Sequence, residues 1–426
     1  MKWPYKEDLL QFIWQHQLLK NQALMSTKGS AIRVIKTGVL NTSSGPDFLN
    51  AHIIIDGIEL HGSIEIHLDS KDWYYHKHHL DQAYNNVVLH VCYSCDVDVL
   101  SEDKTTIASV QISEWIDDRL LNRYNELLQN AKFVPCSNQL KNVPDFTITT
   151  WMERLGVERL EHRSSEVADV LENANGNWSE ALYTFLLQAF GKPKNDVCFK
   201  ELAERIPFSL LSKHSNSIFQ LEALLLGASG FLGKPKDNYS IALRAEYSFL
   251  AKKYSLHNIE SLWMLGKVRP SSQPTLRIAQ FAAIVHKNPR LIDPEFLVKN
   301  IDQFYAALSV TPSEYWQTHY TLNKESVKRD KPLSKSFINL LLINALIPFL
   351  FFYSKKKLGT SGNEPAEVLL KLPAEKNSII SKWNDIGLNS NNSFETQALL
   401  YLYKQYCSAK RCLSCNIGKQ LLLKNG

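Results

Sequence analysis

Gly45 to His67, GPDFLNAHIIIDGIELHGSIEIH, constrains the fold of this chain more than any other stretch. Pro46 fixes its own φ and biases Gly45 towards extended geometry. A β-branched run, His52 to Ile55, leads into Asp56-Gly57, a pair that closes two-residue hairpins, and a second run returns from Ile58 to Leu60. Beyond Gly62 the pattern alternates, with Ser63, Glu65 and His67 on one face and Ile64, Ile66 and Leu68 on the other. A side-chain period of two therefore sets a carboxylate beside an imidazole, and Asp47 stands at the mouth of the preceding hairpin as a third member. Two carboxylates and a nitrogen base at a sheet edge are what a divalent cation and an attacking water require.

Pro46-Asp47, a hairpin's length of chain and then Glu65-Ile66-His67 resemble the Pro-Asp…(Asp/Glu)-x-Lys signature of the PD-(D/E)XK restriction-endonuclease-like phosphodiesterases. Histidine stands where that superfamily has lysine. The wider pattern of GPDF, GSIEIH, DWYYHKHH and YNNVVLHV resembles the bacterial domain-of-unknown-function 2851 family over nearly the whole chain, and brings no activity with it. The nuclease resemblance implies an α+β N-terminal domain, a mixed sheet with flanking helices, and metal-dependent phosphodiester hydrolysis with DNA the favoured substrate. On that reading Asp47 and Glu65 hold Mg²⁺ or Mn²⁺ with the Ile66 carbonyl, and Asp47, Glu65 and His67 form the catalytic set, His67 placing the water. Imidazole can orient water, but it carries less charge towards a phosphate than lysine does. The competing expectations are a nucleic-acid- or protein-binding scaffold without turnover, and hydrolysis of a small phosphate or ester with a histidine-held metal.

Trp73, His76, His78, His79 and His90 form a second constellation soon after the Glu65 strand. His76 and His78 are expected beside the metal or the phosphate, with Trp73 and His90 behind them. His76 and His79 are expected to share a helix face, and zinc is the other occupant such a cluster suggests. His90, between Leu89 and Val91, also fits a core residue. Cys407-x4-Cys412-x2-Cys415, with Cys136 as remote fourth, resembles the iron–sulfur staple of some nucleases of this class and implies an iron–sulfur cluster or Zn²⁺. From the residues alone, buried free thiols are the plainer reading. Arg154, Arg159 and Arg163 interleave with Glu153, Glu158 and Glu161 as a solvated helix face, while Arg269 and Arg277 suggest a basic pocket. No phosphate-binding P-loop, dinucleotide fingerprint, G-x-S-x-G or H-E-x-x-H is present, which argues against those chemistries.

Charge adds little to the nucleic-acid case. The net +5 equals the five positive residues of the last stretch, Lys404, Lys410, Arg411, Lys419 and Lys424, so the rest of the chain balances. An odd seven cysteines and an opening MKWPYKEDLL without an apolar run predict reduced thiols and a cytoplasmic protein. Phe337 to Tyr353 approaches membrane-span length, but Asn339, Asn344 and Pro348 make it a buried core helix instead, so no membrane partner is expected. Along the chain the periodicity predicts a helix over 4–20, a strand over 31–40, a loop with a short helix over 72–86, a buried strand over 87–93 and a hairpin over 96–112. A boundary near 135–146 separates this α/β domain, 1–135, from an all-helical domain, 146–426, with a sub-boundary near 310–335.

Overall fold

A computed structural model describes residues 3–20, 23–300 and 303–423. It divides into two compact units, Met1–Trp151 with Tyr403–Gly426, and Met152–Leu402. The first is a mixed sheet with flanking helices and the second is helical, the class the sequence predicts, except that the region expected to be all-helical holds a short antiparallel pair, His319–Thr321 with Lys324–Glu325. The last residues, however, belong with the first unit and not with the helical one, and the division falls inside a helix at Trp151. Lys424, the last of the basic residues, lies outside the described residues, as do 301–302 within the domain expected to be helical.

In the first unit, helix α1 (Asp8–Gln15) buries Leu9, Leu10, Phe12, Ile13 and Trp14. Strands β1 (Leu24–Met25), β2 (Ala31–Lys36), β3 (Val39–Leu40), β4 (Phe48–Ile55), β5 (Ile58–Asp69), β6 (Val87–Ser94), β7 (Val99–Leu100), β8 (Thr106–Ile107) and β9 (Ser109–Gln111) follow. The main sheet runs β1-β2-β4-β5-β6-β9, with β3 also on β4. Pairing is antiparallel as far as β5 and parallel for β5–β6 and β6–β9. The hairpin closes as expected: Ile55 faces Ile58, and Asp56 and Gly57 take φ of 48° and 86°, the two positive angles of a type I′ turn.

Several local expectations need correction. Gly45 is not extended but takes φ 100°, a conformation only glycine tolerates before proline. The strand expected over 31–40 breaks at Gly38, φ 91°, where a Cβ would press on Phe48 and Leu49. The second arm of the hairpin expected over 96–112 also divides. Thr106–Ile107 pairs with Val99–Leu100, and Ser109–Gln111 joins the main sheet beside β6.

A parallel neighbour requires a crossover, and here it is short: helix α2 (Asp72–Tyr75) and two 3₁₀ turns at His78–Leu80 and Gln82–Tyr84. It is anchored by a small core of Trp73, Tyr84, Val87, Val99 and Ile107, with Trp73 Nε1 donating to Leu100 O at 2.9 Å. Helix α3 (Asp118–Gln129), the first turns of α4 (Asp145–Asn173) and the C-terminal helix Asn416–Leu423 complete the unit. Cys92 and Cys95 form a disulfide, in contrast to the free thiols expected throughout.

The second unit packs helices such as Trp178–Phe190, Ile218–Ala228 and Pro274–Lys287 around one large apolar core. The segment Lys335–Leu358 is long and apolar enough to cross a membrane, yet 67% of its most apolar window is buried in this unit. Pro348 has no N–H for the carbonyls one turn back, and the helix passes through a π-helical stretch at Leu342–Leu346. Arg159 Nη2 donates to Ile343 O at 3.3 Å and Arg163 Nη2 to Asn344 O at 2.7 Å. These arginines therefore do not form the solvated face expected of them, because they serve carbonyls the proline leaves unpaired. Arg277 likewise lines no basic pocket: it is buried, bonded to Gln280 and stacked on Phe337.

Candidate metal centre

The polar face of β5 is not solvated. Ser63, Glu65 and His67 are 5%, 5% and 1% exposed, because the crossover lies over them. At the end of α2, Lys77 adopts φ 63°, and this left-handed residue turns the chain so that His76 and His78 both come back to His67. The three rings offer ligand nitrogens that all lie within 4.8 Å of one another. His67 is buried, His78 half-buried and His76 exposed, so the cluster is open to solvent on one side. His79 takes no part and packs on Tyr74 with ring centroids 5.0 Å apart, which corrects the expected His76–His79 face.

Glu65 supplies the oxygen. Its Oε1 lies 3.5 Å from His67 Nε2 and 3.4 Å from His78 Nε2. His67 Nδ1 shares a proton with His90 Nε2 at 2.9 Å, reached from the adjacent parallel strand. His67 Nε2 makes no hydrogen bond among the described residues and faces the cluster. Behind, the His78 ring stacks on Tyr84 at 3.8 Å, and Trp73 packs edge-on to His78 and His90.

Asp47 and Glu65 clamp one another through the backbone. Asp47 N donates to Glu65 Oε2 at 2.9 Å, Ile66 N donates to Asp47 Oδ2 at 3.0 Å, and Gln11 Nε2 holds Asp47 Oδ1 at 2.9 Å. Burial, then the Asp47 charge, pushes the Glu65 carboxyl well up, and burial likewise raises Asp47. Glu7, at the start of α1, is pushed up to about 7 by burial and then by Asp47, Asp72 and Asp8. Burial and the neighbouring rings depress the histidines, His67 to about 2, His90 to about 3 and His78 to about 4. Among the described residues no lysine or arginine pairs with Glu7, Asp47 or Glu65. Neutral imidazoles beside carboxylates starved of positive charge are the electrostatics of a cation site.

The structure thus gathers Asp47, Glu65, His67, Trp73, His76, His78 and His90 in one place. Gln11 and Tyr84 went unread in the sequence and Glu7 reads there only as a carboxylate favouring the helix dipole; the spacing of four between Glu7, at the cap of α1, and Gln11 was the available signal. A second group was also missed. His52 and His61 face each other across the hairpin, their rings stacked at 4.1 Å, with Glu59 Oε1 2.5 Å from His52 Nε2 and 3.6 Å from His61 Nε2. Far along the chain, Cys136, Cys407, Cys412 and Cys415 line one cavity of about 20 Å³ in the first unit.

The profile of a family described as a protein of unknown function (DUF2851) matches residues 7–378, most of the chain, and the chain belongs to that family. Every residue of the histidine–carboxylate cluster lies inside the matched range, and the three C-terminal cysteines lie beyond it. No curated protein and no solved structure matches the chain.

Proposed function

We propose that this member of the DUF2851 family is a metal-dependent phosphodiester hydrolase, acting on nucleic acid and on DNA first, with its ion held by His67, His76, His78 and Glu65. The observation that carries the reading is the convergence of three imidazoles within 4.8 Å of one another next to a buried carboxylate. Three nitrogens and one oxygen suit Zn²⁺, Fe²⁺ or Mn²⁺ better than Mg²⁺, which prefers an all-oxygen shell. An ion at such a site lowers the pKa of a bound water and neutralises charge on a phosphate oxygen. His67, with Nδ1 engaged by His90, has only Nε2 to give. It serves as ligand here, since a lone pair on a metal cannot also take a proton. Asp47 is a positioning residue that locks Glu65 through Ile66, and the exposed His76 leaves an open side for substrate.

Support for a restriction-endonuclease-like fold comes from the order of helix, antiparallel meander, short crossover and parallel strand, and from Asp47, in the bend that leads into β4, meeting Glu65 on the neighbouring β5. One observation favours a non-catalytic metal-binding scaffold instead: no lysine or arginine among the described residues pairs with the site's carboxylates to meet a phosphate.

Elemental analysis after incubation with Mn²⁺, Zn²⁺ or Mg²⁺, paired with hydrolysis of single- and double-stranded DNA and of bis(p-nitrophenyl) phosphate, decides between them. His78→Ala should weaken ion binding by roughly 10–100-fold, His52→Ala should not, and Glu65→Gln should abolish hydrolysis. An ion bound at this site without hydrolysis of any substrate would leave the scaffold, and retention of the ion by His78→Ala would reject the site.

A further inference from the structure

Four of the five unpaired cysteines, Cys136, Cys407, Cys412 and Cys415, meet in the first unit, although the first is far from the others in sequence. Leu127, Pro135 and Tyr406 wall the cavity they line. A π-helical stretch, Leu402–Cys407, delivers Cys407, and such stretches recur where a side chain must be aimed at a site. Cys415 stands at the start of the helix Asn416–Leu423. The backbone N–H groups of Ile417 and Gly418, in the first turn of that helix, face its sulfur. A Cβ at Gly418 would collide with the Cys412 carbonyl, so glycine is what lets this helix close over the Cys412 turn. Thiols serving only as apolar filler need neither N–H donors aimed at sulfur nor convergence from distant segments.

We propose that Cys136, Cys407, Cys412 and Cys415 bind a [4Fe–4S] cluster that fastens the C-terminal segment to the sheet-containing unit. The spacing of the sulfurs decides the occupant. A tetrahedral zinc with Zn–S bonds of 2.3 Å holds its thiolates about 3.8 Å apart. Among the described residues the ligand groups drawn within 4.8 Å of one another are the two histidine clusters, and no three of these sulfurs form another. A set of four thiols of which no three are so closely gathered fits a polynuclear centre better than a single ion. Loading exchanges four S–H bonds for four sulfur–iron bonds and releases the four thiol protons, with two ferrous ions, two ferric ions and four sulfides supplied together so that no further oxidant is needed. The N–H donors at Cys415 then stabilise thiolate charge. This reading is independent of the histidine site, whose residues it does not touch.

The test is iron, sulfide and zinc analysis of the full chain purified anaerobically, and again after reconstitution with equal parts of ferrous and ferric iron and with sulfide. About four iron and four sulfide per chain, with a visible sulfur-to-iron absorption band, are expected. Cys136→Ser and Cys407→Ser should lose more than half of the iron, and Cys198→Ser, which alters the fifth free thiol, should lose none. Because a ligand variant could also misfold, limited proteolysis of the wild type with and without the cluster is a second readout: the cluster should protect the C-terminal segment. One zinc and no iron, no metal after reconstitution, or iron retained in both ligand variants would each overturn the proposal.

Discussion

Glu222 is wholly buried in the helical unit, where its Oε2 accepts Tyr239 Oη and Trp316 Nε1, both at 2.8 Å. Burial raises its carboxyl above the ordinary value of 4.5, outweighing those two donors. The native state therefore holds the proton more tightly than the unfolded chain does. The resulting stability is complete below the unfolded carboxyl range and is lost as pH rises through the folded pKa. Glu222→Gln keeps an oxygen for both donors and removes the titration. Above about pH 4.5 wild type should lose urea resistance that the variant retains, leaving the variant ahead by on the order of 1 kcal/mol at neutral pH. Unfolding midpoints that run parallel across pH would refute this account. Single residues also show what a sequence can disclose about a site. Glu65 and His67 could be paired because strand periodicity is fixed at two. His78 and not His79 joins His67 because Lys77 is left-handed, and a lysine does not announce a positive φ. Glu7 and Gln11 were hidden for another reason: a carboxylate in a first helical turn already has an explanation in the helix dipole.

At the scale of elements, Pro348 and the arginines of α4 make one structural device. Arg163→Met should leave Asn344 O without its 2.7 Å donor inside an apolar core and cost about 2–4 kcal/mol. Pro348→Ala returns a backbone N–H to that carbonyl. In the Pro348→Ala background the arginine change should therefore cost less by roughly 1 kcal/mol, read as the coupling term of a double-mutant denaturation cycle. Additive losses would mean that the guanidinium stabilises something other than the interrupted helix. Helices with chemical stops are legible in a sequence: Trp178–Phe190 starts where Asn177 caps the Ser179 and Glu180 N–H groups and ends at Gly191. The Asp56-Gly57 hairpin was legible for the same reason, since the turn demands those residues. The split between Thr106–Ile107 and Ser109–Gln111 was not, because strands of two and three residues are too short to display a period.

For the whole molecule, the informative bonds are those of greatest sequence separation. Arg123 Nη2 donates to Leu422 O at 3.1 Å, Lys410 Nζ reaches Leu128 O, and the Phe133 ring stacks on Tyr403 at 4.9 Å. Charge counting had made the last stretch a basic tail, but periodicity cannot say which distant surface a terminal helix covers. Packing reassigns it: Ile417, Leu421 and Leu422 are buried, and α3 is one of the elements beside them. A chain ending at Leu402 should accordingly lose part of the first unit's core while keeping all of the second's. Trypsin should then cut within 113–151 at rates the full chain resists, and a fragment spanning roughly 152–402 should persist, since opening free energies follow local burial. Mass spectrometry of the digest distinguishes the outcomes. A first unit as resistant as in the full chain would show that the C-terminal segment is an appendage, and early loss of the 152–402 fragment would show that the helical core depends on it.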